Sequence, residues 1–126
     1  MSEAKRVVTN FFETLNDLDV WQKLIVDDAT WWLAGNLPLS GTYRGKDQII
    51  NNYLAEVDKL LAARNTWINT MYLAGDTVIV EAQTEAMTKK GKPYLNLYAF
   101  IFEVSGDQII SVREYLDTES SRQVFE

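Results

Sequence analysis

Residues 93–117 read PYLNLYAFIFEVSGDQIISVREYLD, two runs of alternating side chains separated by a turn at Gly106-Asp107. Successive side chains of a strand point to opposite sides of a sheet, so each run predicts one strand of an antiparallel pair. In the second run, Glu114 shares its face with three aliphatic residues, Ile110, Val112 and Leu116. A carboxylate on an apolar face must be paired, kept neutral or used in chemistry, which makes Glu114 a candidate functional residue.

Two further strands precede this pair, so the pattern predicts a four-stranded meander. The predicted strands span 66–74, 77–88, 93–104 and 108–117. Earlier in the chain we predict an amphipathic helix over 3–16, a short helix capped by Asp19, a strand over 30–34, a loop over 35–45 and a long helix over 46–63. Helices followed by a sheet predict an α+β fold in which the helices cover one face of a curved sheet.

Composition and charge exclude several partners and several classes of catalytic group. The 126 residues are 47% hydrophobic and 24% charged, which suits one folded domain over 1–126. The net charge of −6 disfavours nucleic acid and anionic membrane as partners. With no cysteine and no histidine, thiol chemistry, serine–histidine triads and the usual zinc sites are excluded, and carboxylates remain the natural proton-transfer groups. Because no apolar run reaches 18 residues, we expect no membrane partner and a cytoplasmic location.

The strand over 93–104 predicts an oligomer. Its two faces are both mainly apolar, whereas an antiparallel sheet with one solvated face should alternate apolar and polar side chains. Large apolar patches are rarely left exposed on monomers. We therefore expect a homodimer that pairs the outer sheet faces, with a C-terminal tail folded over the sheet as the alternative.

Four segments carry a resemblance to a known superfamily: DDATWW (27–32), GTYRGKD (41–47), GKPYLNLY (91–98) and IISVREYLD (109–117). Over nearly its whole length the chain resembles the nuclear transport factor two-like superfamily, most closely its SnoaL-like, ketosteroid-isomerase-like and limonene-epoxide-hydrolase-like branches. The resemblance implies a cone-shaped, cystatin-like α+β barrel, with a curved, mostly antiparallel sheet wrapped around the N-terminal helices. It also implies an apolar cavity for a small hydrophobic, steroid-, terpenoid- or polyketide-like molecule, with no cofactor and no metal.

The three branches place their reactive groups at different positions of this chain. The arginine and two aspartates of the epoxide hydrolases fall on Glu81, Gln83 and Glu114, so only one of the three groups is kept. The base of the ketosteroid isomerases falls on Leu33 or on its neighbour. The acid of the SnoaL-like cyclases matches Glu114 or Asp117, and strand alternation favours Glu114 because Asp117 lies on the opposite face.

Glu81 is the second catalytic candidate. Alternation over 77–88 groups Glu81 with Ile79, Gln83 and Glu85 on a face that would meet water, whereas the resemblance turns Glu81 and Gln83 into the cavity. We expect the inward orientation, because the apolar second face of 93–104 calls for a buried outer sheet. Two inward glutamates would repel each other, which would raise an apparent pKa and let Glu81 and Glu114 share a proton.

Ten residues are predicted to bind the ligand: Phe12, Leu15, Trp31, Leu33, Tyr53, Val57, Gln83, Asn96, Tyr98 and Phe100. The apolar members could equally fill a core, and Glu114 could be held structurally by Asn96, Tyr98 or Arg113. Two functions stay open. The first is a cofactor-independent isomerase, cyclase or hydrolase that uses Glu114, and the second is a non-catalytic ligand-binding or assembly domain.

Overall fold

A computed structural model describes the backbone of residues 2–125 and the side chains of residues 2–123. The helices are α1 (Glu3–Glu13), α2 (Leu18–Trp21), α3 (Lys46–Gln48), α4 (Ala55–Leu60) and α5 (Thr118–Phe125). A 3₁₀ turn, Gln22–Leu24, follows α2, and a π-helical segment, Ile49–Leu54, joins α3 to α4. The strands are β1 (Ile25–Leu33), β2 (Gly41–Arg44), β3 (Leu61–Ala74), β4 (Thr77–Thr88), β5 (Pro93–Ser105) and β6 (Gln108–Leu116).

The six strands form one curved, unclosed sheet in the order β2-β1-β6-β5-β4-β3. Strands β3 to β6 form the predicted antiparallel meander, and glycines with positive φ, Gly75 and Gly106, turn two of its hairpins. Strand β1 pairs in parallel with β6 and so joins the short edge strand β2 to the meander. The prediction of an α+β fold with a curved, mostly antiparallel sheet around N-terminal helices is confirmed.

Element boundaries differ from the predictions where sheet pairing extends beyond the local pattern. Strand β3 begins at Leu61, inside the predicted long helix, because its pairing with β4 continues as far as Leu61 opposite Thr88. Part of the predicted loop is the short edge strand β2, which places Tyr43 opposite Trp31 of β1. The second helix is capped by Asp17 rather than Asp19, since the Asp17 side chain accepts the hydrogen bond from the Val20 backbone N–H.

Helix α1 packs its apolar stripe on the concave face of the sheet. Ser2 caps the helix by accepting the hydrogen bond from the backbone N–H of Lys5, and the helix contacts strands β3 to β6. Its buried face consists of Ala4, Val7, Val8, Phe11 and Phe12. The aromatic side chains meet buried rings of the sheet: the ring centroids of Phe11 and Phe102 are 5.5 Å apart, and those of Phe12 and Phe100 are 5.4 Å apart.

A bulge in β6 changes the predicted face by one residue. Glu103 pairs with Ser111 and Val104 with Ile109, so Ile110 has no partner in β5. Ile109 is therefore buried, while Ile110 is 41% exposed. The prediction that Ile110 lies on the same face as Glu114 is wrong, but beyond the bulge the alternation is restored and Glu114 points inward, as predicted.

The convex, outer face of the sheet carries exposed apolar side chains. Leu95 is 60% exposed and Leu97 61% exposed on β5, opposite the buried side of the same strand. Helix α5 lies on the other side, because the Ser121 hydroxyl bonds to Tyr94 and Asn96, which point inward. The alternative in which the tail covers the outer face is therefore wrong for the side chains that the structure describes. No helix within the described residues is long and apolar enough to cross a membrane.

Candidate functional site

Glu114 lies on the inner face of β6 and is 5% exposed. Its Oε1 atom accepts two hydrogen bonds, one from the Tyr53 hydroxyl at 2.6 Å and one from Trp31 Nε1 at 2.9 Å. Among the described residues, none donates a hydrogen bond to the second carboxyl oxygen, Oε2. One oxygen of the carboxyl group is thus held by the protein, and the other is left for a ligand or for water.

The fold brings these three side chains together from distant parts of the chain. Parallel pairing of β1 with β6 sets Trp31 opposite Val112 and Leu33 opposite Glu114, so the indole lies beside the carboxyl group. Tyr53 comes from the π-helical segment, a form of helix that often marks functional sites. The Tyr53 ring stacks on Tyr43 with centroids 5.0 Å apart, which fixes its orientation.

Burial raises the pKa of Glu114 from 4.5 to about 7, against the hydrogen bonds from Tyr53 and Trp31 and the charge of Arg64, which all lower it. Desolvation therefore outweighs three favourable interactions of the charged form. The group exchanges its proton near neutral pH, which a general acid or base must do.

Two tyrosines beside Glu114 stay protonated at neutral pH. Burial, followed by the charge of Glu114, raises the pKa of Tyr53 well above its usual value. Burial, followed by the neighbouring Tyr94, does the same for the pKa of Tyr98. Both hydroxyls therefore keep a proton to donate, Tyr53 to Glu114 and Tyr98 within a chain that includes the Tyr94 hydroxyl at 3.0 Å.

Glu114 borders a cavity of about 140 Å³ between the sheet, α1 and the helical segments. An engineered apolar cavity of similar volume takes up benzene, so this one suits a ligand of about one ring as it stands. The walls are mainly apolar and aromatic, with a few polar side chains: Glu114, Arg64, Thr66, Thr84, Tyr94, Tyr98 and Ser121. An apolar pocket with a few polar groups is the usual form of a small-molecule site.

Most of the predicted binding residues line this cavity: Phe12, Leu15, Trp31, Leu33, Tyr53, Val57, Tyr98 and Phe100. Their contact with a ligand stays a prediction. The reading in which these side chains only fill a core accounts for part of the set, since Trp31 and Phe100 also pack with centroids 6.4 Å apart within the buried aromatic cluster.

The predicted inward orientation of Glu81 and Gln83 is wrong. Glu81 is exposed on the outer face, where it accepts a hydrogen bond from the Tyr72 hydroxyl at 3.1 Å, and Gln83 accepts one from Asn69 at 3.4 Å. The inner positions of β4 are taken by Val78, Val80, Ala82 and Thr84. Of the two orientations of β4, the one that buries the aliphatic side chains and leaves the carboxylate in water has the lower free energy. Glu81 and Glu114 lie on opposite faces of the sheet and cannot share a proton.

Asn96 also differs from its prediction. It is buried, but its side chain bonds to the Tyr94 hydroxyl, the Ser121 hydroxyl and the Asp117 carbonyl, and it does not line the cavity. Asn96 thus fixes the junction between β6 and α5. Asn96, Tyr98 and Arg113 do not hydrogen-bond Glu114, and Arg113 instead pairs with Glu103 at 3.3 Å.

Sequence reasoning missed the polar part of the β3 and β4 wall. Arg64, Thr66 and Thr84 line the cavity, and the two threonine hydroxyls are 2.8 Å apart. Alternation could have found Arg64, two positions before Thr66, had the strand been extended to Leu61. It also missed the loop residues Leu37, Pro38 and Leu39, which close another side of the cavity. No group of three or more acidic side chains that could hold a metal ion occurs within the described residues.

Comparison with known proteins agrees with the observed fold. Residues 8–112 match the family model of the SnoaL-like domain. Similar solved structures include an NTF2-like protein of unknown function from Burkholderia pseudomallei, at TM-score 0.90 and 16% identity over 98% of each chain. A putative SnoaL-like polyketide cyclase from a Jannaschia species has a TM-score of 0.83 and 16% identity, over 97% of this chain and 90% of that one.

A third structure is a hypothetical protein with a ketosteroid isomerase-like fold from Catenulispora acidiphila, in complex with trimethylamine. Its TM-score is 0.79 at 22% identity, over 94% of this chain and 90% of that one. No functionally curated protein matches the chain. At these identities the structures show a shared fold and leave the reaction open.

Proposed function

The chain belongs to the SnoaL-like family of the nuclear transport factor two-like superfamily, and from this premise we propose that its cavity binds a small, mainly apolar molecule on which Glu114 acts as general acid and base. The fold supports ligand binding or isomerase-type activity. The observation that carries the proposal is the buried Glu114 carboxyl at the wall of an apolar cavity, with a pKa of about 7 and one oxygen that accepts no hydrogen bond from the described residues.

The chemistry follows from that carboxyl group. As a carboxylate, Glu114 takes a proton from a carbon next to a carbonyl group, and the electron pair moves onto the carbonyl oxygen as an enolate. The protonated Glu114 then returns the proton to another carbon of the same molecule, so atoms and charge balance without a cofactor. Tyr53 and Trp31 keep Oε1 in place while Oε2 exchanges the proton.

Replacing one glutamate tests this function. Glu114→Gln keeps the shape and the hydrogen-bond acceptor but cannot exchange a proton, so we expect kcat to fall about 10²- to 10⁴-fold while binding persists. Glu81→Gln, an identical change on the outer face, is the control and should leave kcat unchanged. Substrates come from a thermal-shift screen of monocyclic enones, terpenoid epoxides, polyketide-like phenols and steroids. A wild-type kcat in Glu114→Gln would contradict the proposal.

A non-catalytic binding or assembly role is the second candidate, because one observation favours it. Trp31 and Tyr53 both donate hydrogen bonds to Oε1 of Glu114, as expected of a polar anchor in a wall. Here the wild-type protein would bind compounds from the screen without converting any of them, and Glu114→Gln would change affinity alone.

We also propose that a second copy of the chain covers the outer face of the sheet. The support is the contiguous apolar surface of β5 and β6, where Leu95, Leu97 and Tyr115 are all exposed. Sedimentation of the wild type should then give a dimer, and Leu97→Glu, which introduces repelling charges, should give a folded monomer. A monomeric wild type at micromolar concentration would contradict this proposal. The cytoplasmic location stays a prediction.

A further inference from the structure

We propose that Arg64 makes the cavity selective for a small apolar molecule that carries a carboxylate, which the Arg64 guanidinium binds while the ring of the ligand lies among the aromatic walls. The proposal deepens the function given above and rests on it. It assigns a substrate class, an aromatic or alicyclic acid of about one or two rings, to a cavity whose other polar end is Glu114.

The burial and the hydrogen-bond partners of the Arg64 guanidinium support this inference. The Arg64 side chain is 22% exposed and lines the cavity. Its ion-pair partner is Asp58, which is 71% exposed and lies 3.6 Å away, beyond hydrogen-bond distance. Within the described part of the chain the guanidinium donates no hydrogen bond. Its donors are thus bonded to no described residue and are open to water or to an acceptor that enters the cavity.

The position of Arg64 in the cavity fits an anionic ligand. Among the described lining residues it is the one basic side chain, against the single carboxyl group of Glu114. The nearby hydroxyls of Thr66 and Thr84 bond to each other at 2.8 Å and add polar atoms to the same wall. A planar guanidinium binds a carboxylate through two parallel hydrogen bonds, a geometry that favours an acid over its neutral amide.

Arg64 and Glu114 are also coupled through their charges. Burial sets the raised pKa of Glu114, and the positive charge of Arg64 partly lowers it. A carboxylate bound at Arg64 would offset that charge and raise the pKa of Glu114 further, so that part of the population takes up a proton near pH 7 and the remaining carboxylate is a stronger base. The described ionisable groups around Glu114 include the hydroxyls of Tyr43, Tyr53, Tyr94 and Tyr98. The pKa values of Tyr43, Tyr53 and Tyr98 are raised, so these three do not titrate near pH 7.

The experiment compares acids with their neutral amides. Phenylacetate and phenylacetamide, and 1-naphthylacetate and 1-naphthylacetamide, are titrated into the full chain by calorimetry in buffers of different ionisation enthalpy. We expect each acid to bind roughly tenfold to a hundredfold tighter than its amide, the advantage of a charged hydrogen-bond partner. The acids alone should take up protons near pH 7. Equal affinity, or no binding of either acid at millimolar concentration, overturns the inference.

Variants assign the preference to Arg64. Arg64→Gln should abolish it, whereas Arg6→Gln, which removes the same charge from an exposed position of α1, should preserve it. Asp58→Asn removes the described ion-pair partner of Arg64 and should tighten the acids roughly twofold to fivefold. Because Asp58→Asn should strengthen acid binding whereas Arg64→Gln should weaken it, this second variant still tests the inference if Arg64→Gln folds poorly. An acid preference that survives in Arg64→Gln contradicts the inference.

The outcome for the proposed function is read separately. Glu114→Gln should keep the preference for acids and lose only the proton uptake and any turnover. If turnover depends on Glu114 but Arg64→Gln leaves the acid preference intact, the function stands and the Arg64 site fails. If the preference depends on Arg64 but no acid is ever converted, the site stands and the catalytic proposal fails.

Discussion

The sheet carries two glutamate–tyrosine pairs, one on each face. On the inner face the Tyr53 hydroxyl donates to Glu114 at 2.6 Å, and on the outer face the Tyr72 hydroxyl donates to Glu81 at 3.1 Å. Burial is the largest cause of the raised pKa of Tyr53, whereas for Tyr72 the largest cause is the hydrogen bond to Glu81. The same two residue types thus form a buried pair under the helices and a solvated surface contact outside.

The contrast shows that desolvation, rather than the hydrogen bond, raises the pKa of the inner glutamate. Hydrogen bonds from Tyr53 and Trp31 lower the pKa of Glu114, but burial raises it more. A carboxylate in water keeps its solvation and has no comparable reason to retain a proton.

Truncating one aromatic side chain of the inner face should have the largest effect on stability. Phe100→Ala removes a buried ring that stacks on Tyr98 and Phe102, with centroids 5.4 and 5.7 Å away, and should cost about 3 to 5 kcal/mol of unfolding free energy. Leu97→Ala, on the outer face of the same strand, should cost less than about 1 kcal/mol in the protomer. Urea denaturation measures both, and similar losses would refute the assignment of the two faces.

The pH dependence of stability should distinguish the two glutamates. Because the pKa of Glu114 is about 7 in the folded chain and 4.5 ordinarily, the native state binds the proton more tightly between these values. Stability therefore falls as pH rises from about 4.5 to about 7, by about 3 kcal/mol from this group, and levels off above. Glu114→Gln should remove this slope, and Glu81→Gln should keep it. A parallel pH profile for wild type and Glu114→Gln would contradict the burial argument.

Removing each tyrosine hydroxyl should give the smallest effects. Tyr53→Phe deletes a hydrogen bond that lowers the pKa of Glu114, so that pKa should rise above 7 and stability should fall by about 1 kcal/mol. Tyr72→Phe should change stability by less than about 0.5 kcal/mol, since its partner is solvated. A pH titration of the carbon-13 NMR signals of the glutamate carboxyls measures the pKa of Glu114 in Tyr53→Phe. A lower pKa of Glu114 in Tyr53→Phe would show that the hydroxyl does not favour the carboxylate.

The sequence predicts those features of the fold and the site that depend on neighbouring residues, and it fails for those that depend on residues distant along the chain. The meander over β3 to β6, the buried stripe of α1 and the inward Glu114 follow from local periodicity, because neighbours along the chain report directly on which face is dry. For Glu81 the family resemblance and the periodicity disagree, and the periodicity is right. The alternation of Val78, Val80 and Ala82 predicts that Glu81 faces water, where it lies in the structure.

Other features needed contacts that no local pattern contains. The edge strand β2 exists because Gly41–Arg44 finds hydrogen-bond partners on β1. The bulge at Ile110 is set by the register with β5. Tyr53 was predicted in the cavity wall, but its hydrogen bond to Glu114 depends on the π-helical segment and on a separation of 61 residues along the chain.

The sequence by itself determined that a carboxyl group would lie on a dry strand face in a chain without histidine or cysteine, because alternation and composition are properties of the chain alone. Only the tertiary structure decided what that carboxyl group meets. Trp31, Tyr53 and Arg64 come from three distant segments, and their distances to Glu114 follow from strand register and helix packing. The pKa of Glu114 depends on those distances and on its burial, so its chemistry emerges only in the folded chain.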